Sequence, residues 1–295
     1  MKITDPGADT VDAAANGSLE AIDAVLRAVQ PGVFNLAVRM LGNRDDAADA
    51  TQEILLKVVT HLGGFRREAA FTTWVFQIAR NQLISASTRR RESPEVSLDA
   101  MGELLQAGLN FTATLGDPLG HNQSLTPEDK VAARQVALNC TQSMLMTLDR
   151  EQRLAYLLDV VFGLSSVEAA EVLDINAAAY RQRLSRARDA LDPFVHKTCG
   201  LANREADCRC EKQLPALKYQ QATQSNVRPI KLVAVDRREL AEVQQHFDAL
   251  VRMSDAAALF RAHPQYRASE SLTGAIRAVL QTEGYWSTER QRPLQ

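Results

Sequence analysis

The chain has 295 residues, enough for two or three small domains, and its 5% of aromatic residues with abundant alanine, leucine, arginine and glutamate favours an all-α protein. No apolar run reaches the roughly 20 residues that a membrane span needs, and the N-terminus lacks the layout of a signal peptide, so we expect no membrane span and a cytoplasmic protein with reduced thiols. The net charge of −2 conceals basic clusters at 89–91 and 181–188 and an acidic cluster at 45–53, which predicts different partners at different sites.

The first part of the chain predicts a helical module over residues 18–92. Apolar residues recur at helical spacing from Ser18 to Leu41, interrupted by Pro31-Gly32, which indicates a helix pair or a helix that begins at the proline. A long amphipathic helix is predicted from Asp45 to Leu62, where two glycines end it, and another from Thr72 to about Arg91.

Two segments are expected to be flexible. Residues 1–17 precede the first helical pattern and form a flexible N-terminus. Residues 93–126 are rich in Gly, Pro, Asn, Ser and Thr, which predicts a flexible linker with one short helix around Leu98 to Ala107. The linker ends at Thr126-Pro127, where an N-cap threonine and a first-turn proline start the next helix.

The second module spans residues 127–195 and is predicted to end in a helix-turn-helix. Helices are expected at about 127–147, 149–162, 166–173 and 177–192, and the last two, joined by a tight turn, form the motif. Such a motif directs the second helix toward DNA.

The second helix of this motif carries four arginines and no acid from Asn176 to Arg188. Asn176 is a good N-cap. At about 100° per residue, one face should pack inward; it comprises Tyr180, Leu184, Ala187 and Leu191. The outward surface suits a major groove, because flanking arginines can hold phosphates while polar side chains reach base edges. The predicted DNA-binding residues are Ala178, Arg181, Gln182, Arg183, Ser185, Arg186 and Arg188. The alternative is an Arg-rich, solvated helix of an all-helical protein.

The remaining residues, 196–295, form a third section that begins with a cluster of cysteines. His196, Cys199, Cys208 and Cys210 are a sufficient tetrahedral set for zinc or another metal. Their spacing is not that of a standard zinc finger, so a thiol redox switch and ordinary surface cysteines remain alternatives. Cys140, on an apolar helix, is predicted to be a small core residue. Apolar stripes farther on predict a helical extension that packs on the modules or on itself.

The chain resembles a bacterial RNA polymerase sigma factor of the extracytoplasmic-function class. Residues 46–58, 65–81 and 89–91 are similar to the family's region 2, and the helix-turn-helix, with 148–151 ahead of it and 183–188 at its end, is similar to region 4. Two motifs in this order, a linker apart, are specific to the family. The resemblance implies a protein that is not an enzyme, needs no cofactor for sigma activity, and binds core RNA polymerase and promoter DNA. It leaves open whether a separate anti-sigma factor exists.

The resemblance also implies roles for residues of the first module. Asp49, Gln52 and Glu53 would dock on the coiled-coil clamp of the polymerase large subunit, as an acidic stripe meeting a basic partner; an ordinary solvated face is the alternative. The loop and helix start over 65–74 would capture a flipped base of the −10 element, which needs aromatic walls and cationic backing. The implied DNA-binding residues are Phe65, Arg66, Arg67, Phe71, Trp74, Arg80, Asn81, Arg89, Arg90 and Arg91. Core packing is the alternative for Phe71 and Trp74.

Two positions depart from the family pattern, and one section exceeds it. Arg67 stands where the family usually has glycine, and Ser85 stands where it often has an acid, so the −10 preference cannot be carried over. Similar Cys-containing extensions in the class are regulatory, which suggests that residues 196–295 sense metal or redox state and gate access to DNA or polymerase in cis. The alternative function is a polymerase-independent helix-turn-helix regulator with a sensing tail, although such a protein would need neither the acidic stripe nor the 65–74 loop.

Overall fold

The computed structural model describes residues 2–89, 97–116, 126–223, 238–239, 242, 256–269 and 271–282. This part of the chain is α-helical, as predicted. Its β-type backbone pairing is limited to one isolated β-bridge between Cys199 and Cys208. Arg90 and Arg91 lie outside the described residues. The helices are α1 Ala8–Ala15, α2 Leu19–Leu41, α3 Arg44–His61, α4 Phe71–Arg89, α5 Leu98–Thr114, α6 Pro127–Met146, α7 Arg150–Val160, α8 Ser166–Leu173, α9 Ala177–Thr198, α10 Cys210–Thr223, α11 Ala256–Arg261 and α12 Ser271–Thr282.

The N-terminal residues pack on α2, so the prediction of a flexible segment over 1–17 was wrong for the residues described. Helix α1 lies against α2, and Ile3 and Val11 are buried. A Cβ atom added at Gly32 would lie 2.5 Å from Cγ1 of Ile3, so the absence of a side chain at Gly32 allows this approach. Ala8, Val11 and Ala14 recur at helical spacing, but the segment is short and Val11 is the one apolar residue in α1 larger than alanine, so its pattern was too weak to predict a packed helix.

Helix α2 is continuous, and the predicted break at Pro31-Gly32 is wrong. The proline removes one intrahelical donor. Burial of the helix on both sides of Pro31 compensates, because packing supplies most of the stability of a helix in a protein. By length and composition α2 could cross a membrane, but 67% of its most apolar window is buried inside the protein, as in a core helix.

The first module is a bundle of α2, α3 and α4, which pack against one another. Ser18 caps α2, and Gly42, at φ 66°, ends it. Asn43 then caps α3 by accepting hydrogen bonds from the amides of Asp45 and Asp46. These local signals place α3 within one or two residues of its predicted bounds.

The second module contains the helix-turn-helix at its predicted position. Ser165 and Glu168 form a capping box at the start of α8. Asp174, at φ 55°, makes the left-handed turn between α8 and α9, and the Asn176 Oδ1 accepts from the amide of Ala179 at 2.8 Å. The inward face of α9 is buried as predicted, at Tyr180, Leu184, Ala187 and Leu191.

The segment between the modules contains a full helix, longer than the short one predicted for the flexible linker. Helix α5 packs against α10 of the C-terminal section, which also contacts α6. The Gln213 Nε2 donates to the carbonyl of Leu105 at 2.9 Å. Because α10 lies about a hundred residues farther along the chain, the local composition could not indicate that this helix has a partner.

The two modules pack against each other and share one hydrophobic core, so the linker is not their only connection. Phe76 of α4 meets Phe162 edge-on, with ring centroids 5.3 Å apart, and the Gln77 Nε2 donates to the carbonyl of Glu171 on α8 at 3.0 Å. The buried guanidinium of Arg153 donates to the carbonyl of Met40 at 2.6 Å and to that of Leu145 at 2.8 Å. It thereby satisfies carbonyls at the ends of helices from both modules.

Candidate nucleic-acid interface

Helix α9 presents a continuous polar surface on the side opposite its buried face. The Tyr180 hydroxyl donates to the carbonyl of Ala155 at 3.1 Å, which fixes the rotation of α9 against α7. The exposed residues of the predicted DNA-binding set are Ala178, Arg181, Gln182, Ser185, Arg186 and Arg188, and Arg183 is half-buried. The small and polar side chains are therefore placed where a groove could receive them.

The arginines of this surface differ in their ion pairs. Arg183 binds Glu151 at 2.6 Å and Arg188 binds Asp159 at 2.6 Å, and both acids lie on α7. No ion pair is described for Arg181 or Arg186. These two guanidinium groups can bind a phosphate without first breaking an ion pair with a carboxylate.

The three aromatic residues of the 65–74 segment form one cluster. The ring centroids of Phe65 and Phe71 are 5.5 Å apart, those of Phe65 and Trp74 are 5.2 Å apart, and those of Phe71 and Trp74 are 5.7 Å apart. Phe71 is only 5% exposed, so it packs in the core, whereas Phe65 and Trp74 are half-buried at the edge. The cluster therefore offers an aromatic wall made of Phe65 and Trp74, with Phe71 behind it.

Arg67 keeps the backbone conformation that a glycine would favour. Its φ is 59°, in the left-handed region, which costs a residue with a Cβ atom roughly 1–2 kcal/mol. Its guanidinium pairs with Asp12 of α1, whereas Arg66 is exposed and has no described ion pair. The departure from the family pattern thus changes the side chain but leaves the turn, and it ties the loop to the N-terminal helix.

The C-terminal half of α4 carries the remaining predicted contacts of the first module. The Arg80 Nη1 donates to the Asn81 Oδ1 at 3.0 Å, and Asn81 is exposed. Gln77, one turn earlier, is the residue that contacts α8. Arg89 is the last residue of the helix. The predicted −10 surface therefore adjoins the contact between the modules.

The predicted polymerase-binding residues lie on α3. Asp49 and Glu53 are exposed and Gln52 is half-buried. Glu53 accepts a hydrogen bond from Gln82 of α4, which in turn accepts one from Lys57.

Helix α12 packs on α2 and α3, buries Leu272 and Ile276, and pairs Arg277 with Asp23. Helix α3 therefore carries the candidate polymerase surface and also contacts α12 of the C-terminal section.

Residues 256–269, here called the C-terminal wedge, lie between the two modules. Helix α11 packs on α7 and α9, and Phe260 meets Tyr156 edge-on with centroids 5.2 Å apart. On the other side, the backbone of Tyr266 hydrogen-bonds to the side chain of Asn35 on α2. The Thr141 Oγ1 lies 2.5 Å from the Nε2 of His263, which connects the wedge to α6 as well.

Arg39 is a buried cation that is stabilised partly by contacts with the wedge. Its Nη1 donates to the Asn35 Oδ1 at 2.9 Å, its Nη2 donates to the carbonyl of Pro264 at 3.2 Å, and its guanidinium carbon lies 5.0 Å from the ring centroid of Tyr266. Burial lowers the pKa of Arg39 to about 10, so it remains charged at neutral pH. A buried charge that donates to a wedge carbonyl indicates that the wedge contributes to the core of this closed arrangement.

A second buried charge joins the C-terminal section to the first module. Arg44 at the start of α3 makes a bidentate pair with Glu239, at 2.7 and 3.0 Å. Glu239 is 0% exposed and also accepts from the amide of Arg267 at 2.8 Å. No sequence pattern indicated this pair, because its members lie 195 residues apart.

The predicted metal ligands are not assembled as a set. His196 is exposed, and its carbonyl accepts from Asn203 at 3.0 Å. Among the residues described, which include all four predicted ligands, no group of three or more His, Cys, Asp or Glu side chains is placed to hold a metal ion. Cys140 packs against the core, as predicted, and it also lines one cavity together with the other three cysteines.

Comparisons with known proteins match both modules. Residues 25–93 match the model of Sigma-70 region 2, and residues 138–191 match that of Sigma-70 region 4. Similar proteins are the ECF RNA polymerase sigma factor SigW of Bacillus subtilis, 26% identical over 59% of this chain and 89% of the relative, and the ECF RNA polymerase sigma-E factor of Escherichia coli, 28% identical over 63% and 92%. The RNA polymerase sigma-H factor of Pseudomonas aeruginosa is 27% identical over 62% and 90%. The section after residue 191 lies outside both family models.

Proposed function

We propose that this chain, which belongs to the extracytoplasmic-function class of RNA polymerase sigma factors and acts in transcription initiation, is held in a closed form by its own C-terminal section. The observation that carries this proposal is the burial of the C-terminal wedge between the two sigma modules. In the cytoplasm, release of the wedge would free the modules for polymerase and promoter.

In the open form, each module has its own task. Asp49, Gln52 and Glu53 dock on core RNA polymerase. Phe65 and Trp74, with Arg66, Arg67, Arg80 and Asn81 around them, hold the −10 element, and the exposed face of α9 holds the −35 element. The full or partial exposure of these residues supports these roles, and Phe71 supports the aromatic wall from behind.

The closed form does not suit simultaneous contact with both promoter elements. By their numbering the elements lie about 25 base pairs apart, which is roughly 85 Å at about 3.4 Å per base pair. Helices α4 and α8, one from each module, touch directly through Gln77 and Glu171. The modules must therefore separate before one can reach each element, and every contact of the wedge that bridges them opposes this separation.

Helix α12 of the C-terminal section also packs on α3, the helix that carries the candidate polymerase surface. Helix α12 buries Leu272 and Ile276 on the first module, on α2 and α3. This placement supports a role as an inhibitor in cis, with metal or thiol state as the signal that releases it. The proposal requires no separate anti-sigma factor.

The experiment is in vitro transcription with purified core polymerase, together with a binding assay to core polymerase. Ile276→Glu places a charge in the buried contact of α12, and Ala278→Glu adds the same charge at an exposed position of that helix. We expect Ile276→Glu to increase core binding and promoter-specific transcription while Ala278→Glu behaves like the wild type. Equal activity of all three proteins would contradict inhibition in cis. Tight binding to promoter DNA without polymerase would instead favour a polymerase-independent regulator.

A further inference from the structure

All four cysteines of the chain line one cavity of about 20 Å³. Cys140 lies on α6, Cys199 follows α9, Cys208 lies just before α10, and Cys210 begins α10. The backbone segments at Cys199 and Cys208 form an isolated parallel β-bridge, so the two side chains lie side by side. The rest of the wall is largely apolar and includes Leu105, Val136 and Met144. A cavity of this size admits one particle about as large as a water molecule.

All four cysteines are free thiols. The Cys208 Sγ accepts a hydrogen bond from the Gln213 Nε2 at 3.4 Å, and the backbone of Leu201 and of Ala202 donates to Cys199. Burial raises the pKa of each thiol, and neighbouring cysteines raise those of Cys140, Cys208 and Cys210 further.

A soft cation can bind these sulfurs even when they are protonated before it arrives. It displaces the thiol proton as it binds, and sulfur-rich sites select zinc, copper(I) and similar ions. Arg209 and Lys212 lie close enough to lower the pKa of Cys208 against the effect of burial, and their charges would offset the negative charge of bound thiolates. Four sulfurs at one cavity are therefore a donor set that suits a soft cation.

We propose that Cys140, Cys199, Cys208 and Cys210 bind one thiophilic cation, of the class of zinc and the related d¹⁰ ions, and that His196 takes no part. Each sulfur that coordinates transfers its proton to solvent as its bond to the cation forms, so the step requires no oxidant. In this structure no three of these side chains are placed to hold a metal ion together. Binding therefore draws the turn over 199–210 toward Cys140 on α6.

This movement reaches the C-terminal wedge through the next residue of α6. Thr141 also lines the cavity, and its Oγ1 lies 2.5 Å from the Nε2 of His263 in the wedge. A cation that displaces Cys140 thereby alters a contact that holds the closed form. This regulatory consequence rests on the proposed function, whereas cation binding itself does not.

The first test titrates the full-length, reduced protein with Cd²⁺ and follows the thiolate-to-cadmium charge-transfer band, with Zn²⁺ measured by competition against a chromophoric chelator. We expect one ion per chain. Cys140→Ala and Cys208→Ala should each lower the affinity by more than about 100-fold, above the usual effect of second-shell changes. His196→Ala, the matched control, should bind like the wild type. Thermal unfolding of each variant without metal shows whether it is folded.

A second measurement needs no variant. Zn²⁺ should protect all four cysteines of the wild-type protein from alkylation, as read by mass spectrometry of the peptides. The proposal is overturned if the wild type binds neither ion, if Zn²⁺ leaves Cys140 unprotected, or if His196→Ala weakens binding while Cys140→Ala does not. These readouts use neither polymerase nor DNA, so failure of the sigma mechanism leaves them unaffected. Transcription with and without Zn²⁺ separately tests the regulatory consequence.

Discussion

Asn35 on α2 and Tyr266 in the C-terminal wedge exchange two hydrogen bonds across 231 residues of sequence. The Asn35 Nδ2 donates to the carbonyl of Tyr266 at 2.8 Å, and the amide of Tyr266 donates to the Asn35 Oδ1 at 2.9 Å. A single side-chain amide thus pairs both backbone groups of a buried, non-helical residue. The position of the wedge on the first module is specified by this exchange.

Replacing Asn35 should loosen the wedge. Asn35→Ala leaves the buried amide and carbonyl of Tyr266 without these partners, which should lower the free energy of unfolding by about 2–3 kcal/mol. Chemical denaturation measures this cost, and limited proteolysis should cut the wedge faster. Asn16→Ala, at an exposed position, should change stability by less than about 0.5 kcal/mol. Similar costs for the two variants would show that the exchange does not anchor the wedge.

The pair of Arg44 and Glu239 should contribute far more to stability than its exposed neighbour. Glu239→Gln removes the fully buried carboxylate that pairs with the partly exposed Arg44 and should cost about 3 kcal/mol. Glu242→Gln makes the same change in the partly exposed pair with Arg267 and should cost at most about 1 kcal/mol. Denaturant unfolding of both variants checks the difference. If Glu242→Gln is equally damaging, burial is not the cause.

The buried His263 should make stability depend on pH. Burial, followed by the charge of Arg39, lowers the pKa of His263 well below its ordinary value, and its ring contacts Thr141 and Tyr266, which are uncharged near neutral pH. The unfolded chain therefore binds a proton that the folded chain excludes as pH falls below about 6.5. The free energy of unfolding should decrease there by at most about 1.4 kcal/mol per pH unit and stay level above neutrality.

His263→Gln tests this titration, because glutamine cannot take up the proton. Its unfolding free energy between about pH 7 and 5.5 should be flatter than that of the wild type. His61→Gln, at an exposed position, should keep the wild-type slope. A His263→Gln protein with an unchanged slope would assign the pH dependence to other groups.

A methyl group at Gly32 should displace the N-terminal segment. Gly32→Ala would bring its Cβ within 2.9 Å of the Cα of Ile3, too close for either backbone to remain in place. Residues 2–15 should then exchange their amide hydrogens faster, even though alanine favours the helix by about 1 kcal/mol. Gly63→Ala has nothing within 4 Å of its added Cβ and should leave the exchange of this segment unchanged. Slow exchange in Gly32→Ala would mean that Ile3 can repack.

The arginines of α9 should differ in their effect on promoter binding. Arg186→Ala should reduce the slope of log affinity against log salt by about 0.9 for one lost phosphate contact, in a holoenzyme–promoter binding assay. Arg183→Ala should change the slope less, because Arg183 is half-buried and already pairs with Glu151. The reverse order would show that the ion pair with Glu151 does not keep Arg183 from the phosphates.

Much of the two modules could be predicted because the signals that define their helices act over a few residues. Asn176 caps α9 within one turn, and the inward face that includes Tyr180 and Leu184 follows directly from the helical period. The same holds for α3, whose cap and final glycines are adjacent to it. The sequence alone thus determined the all-α fold, the helix-turn-helix and the resemblance to sigma factors.

The tertiary structure decided which distant residues meet. It placed Cys140 beside Cys208, Asn35 against Tyr266, and α5 against α10. It also packed the supposedly flexible N-terminus onto Gly32 and brought the two modules into contact. No periodicity or cap encodes such pairs, because their energies come from desolvation and packing that exist only once segments separated by tens to hundreds of residues have come together.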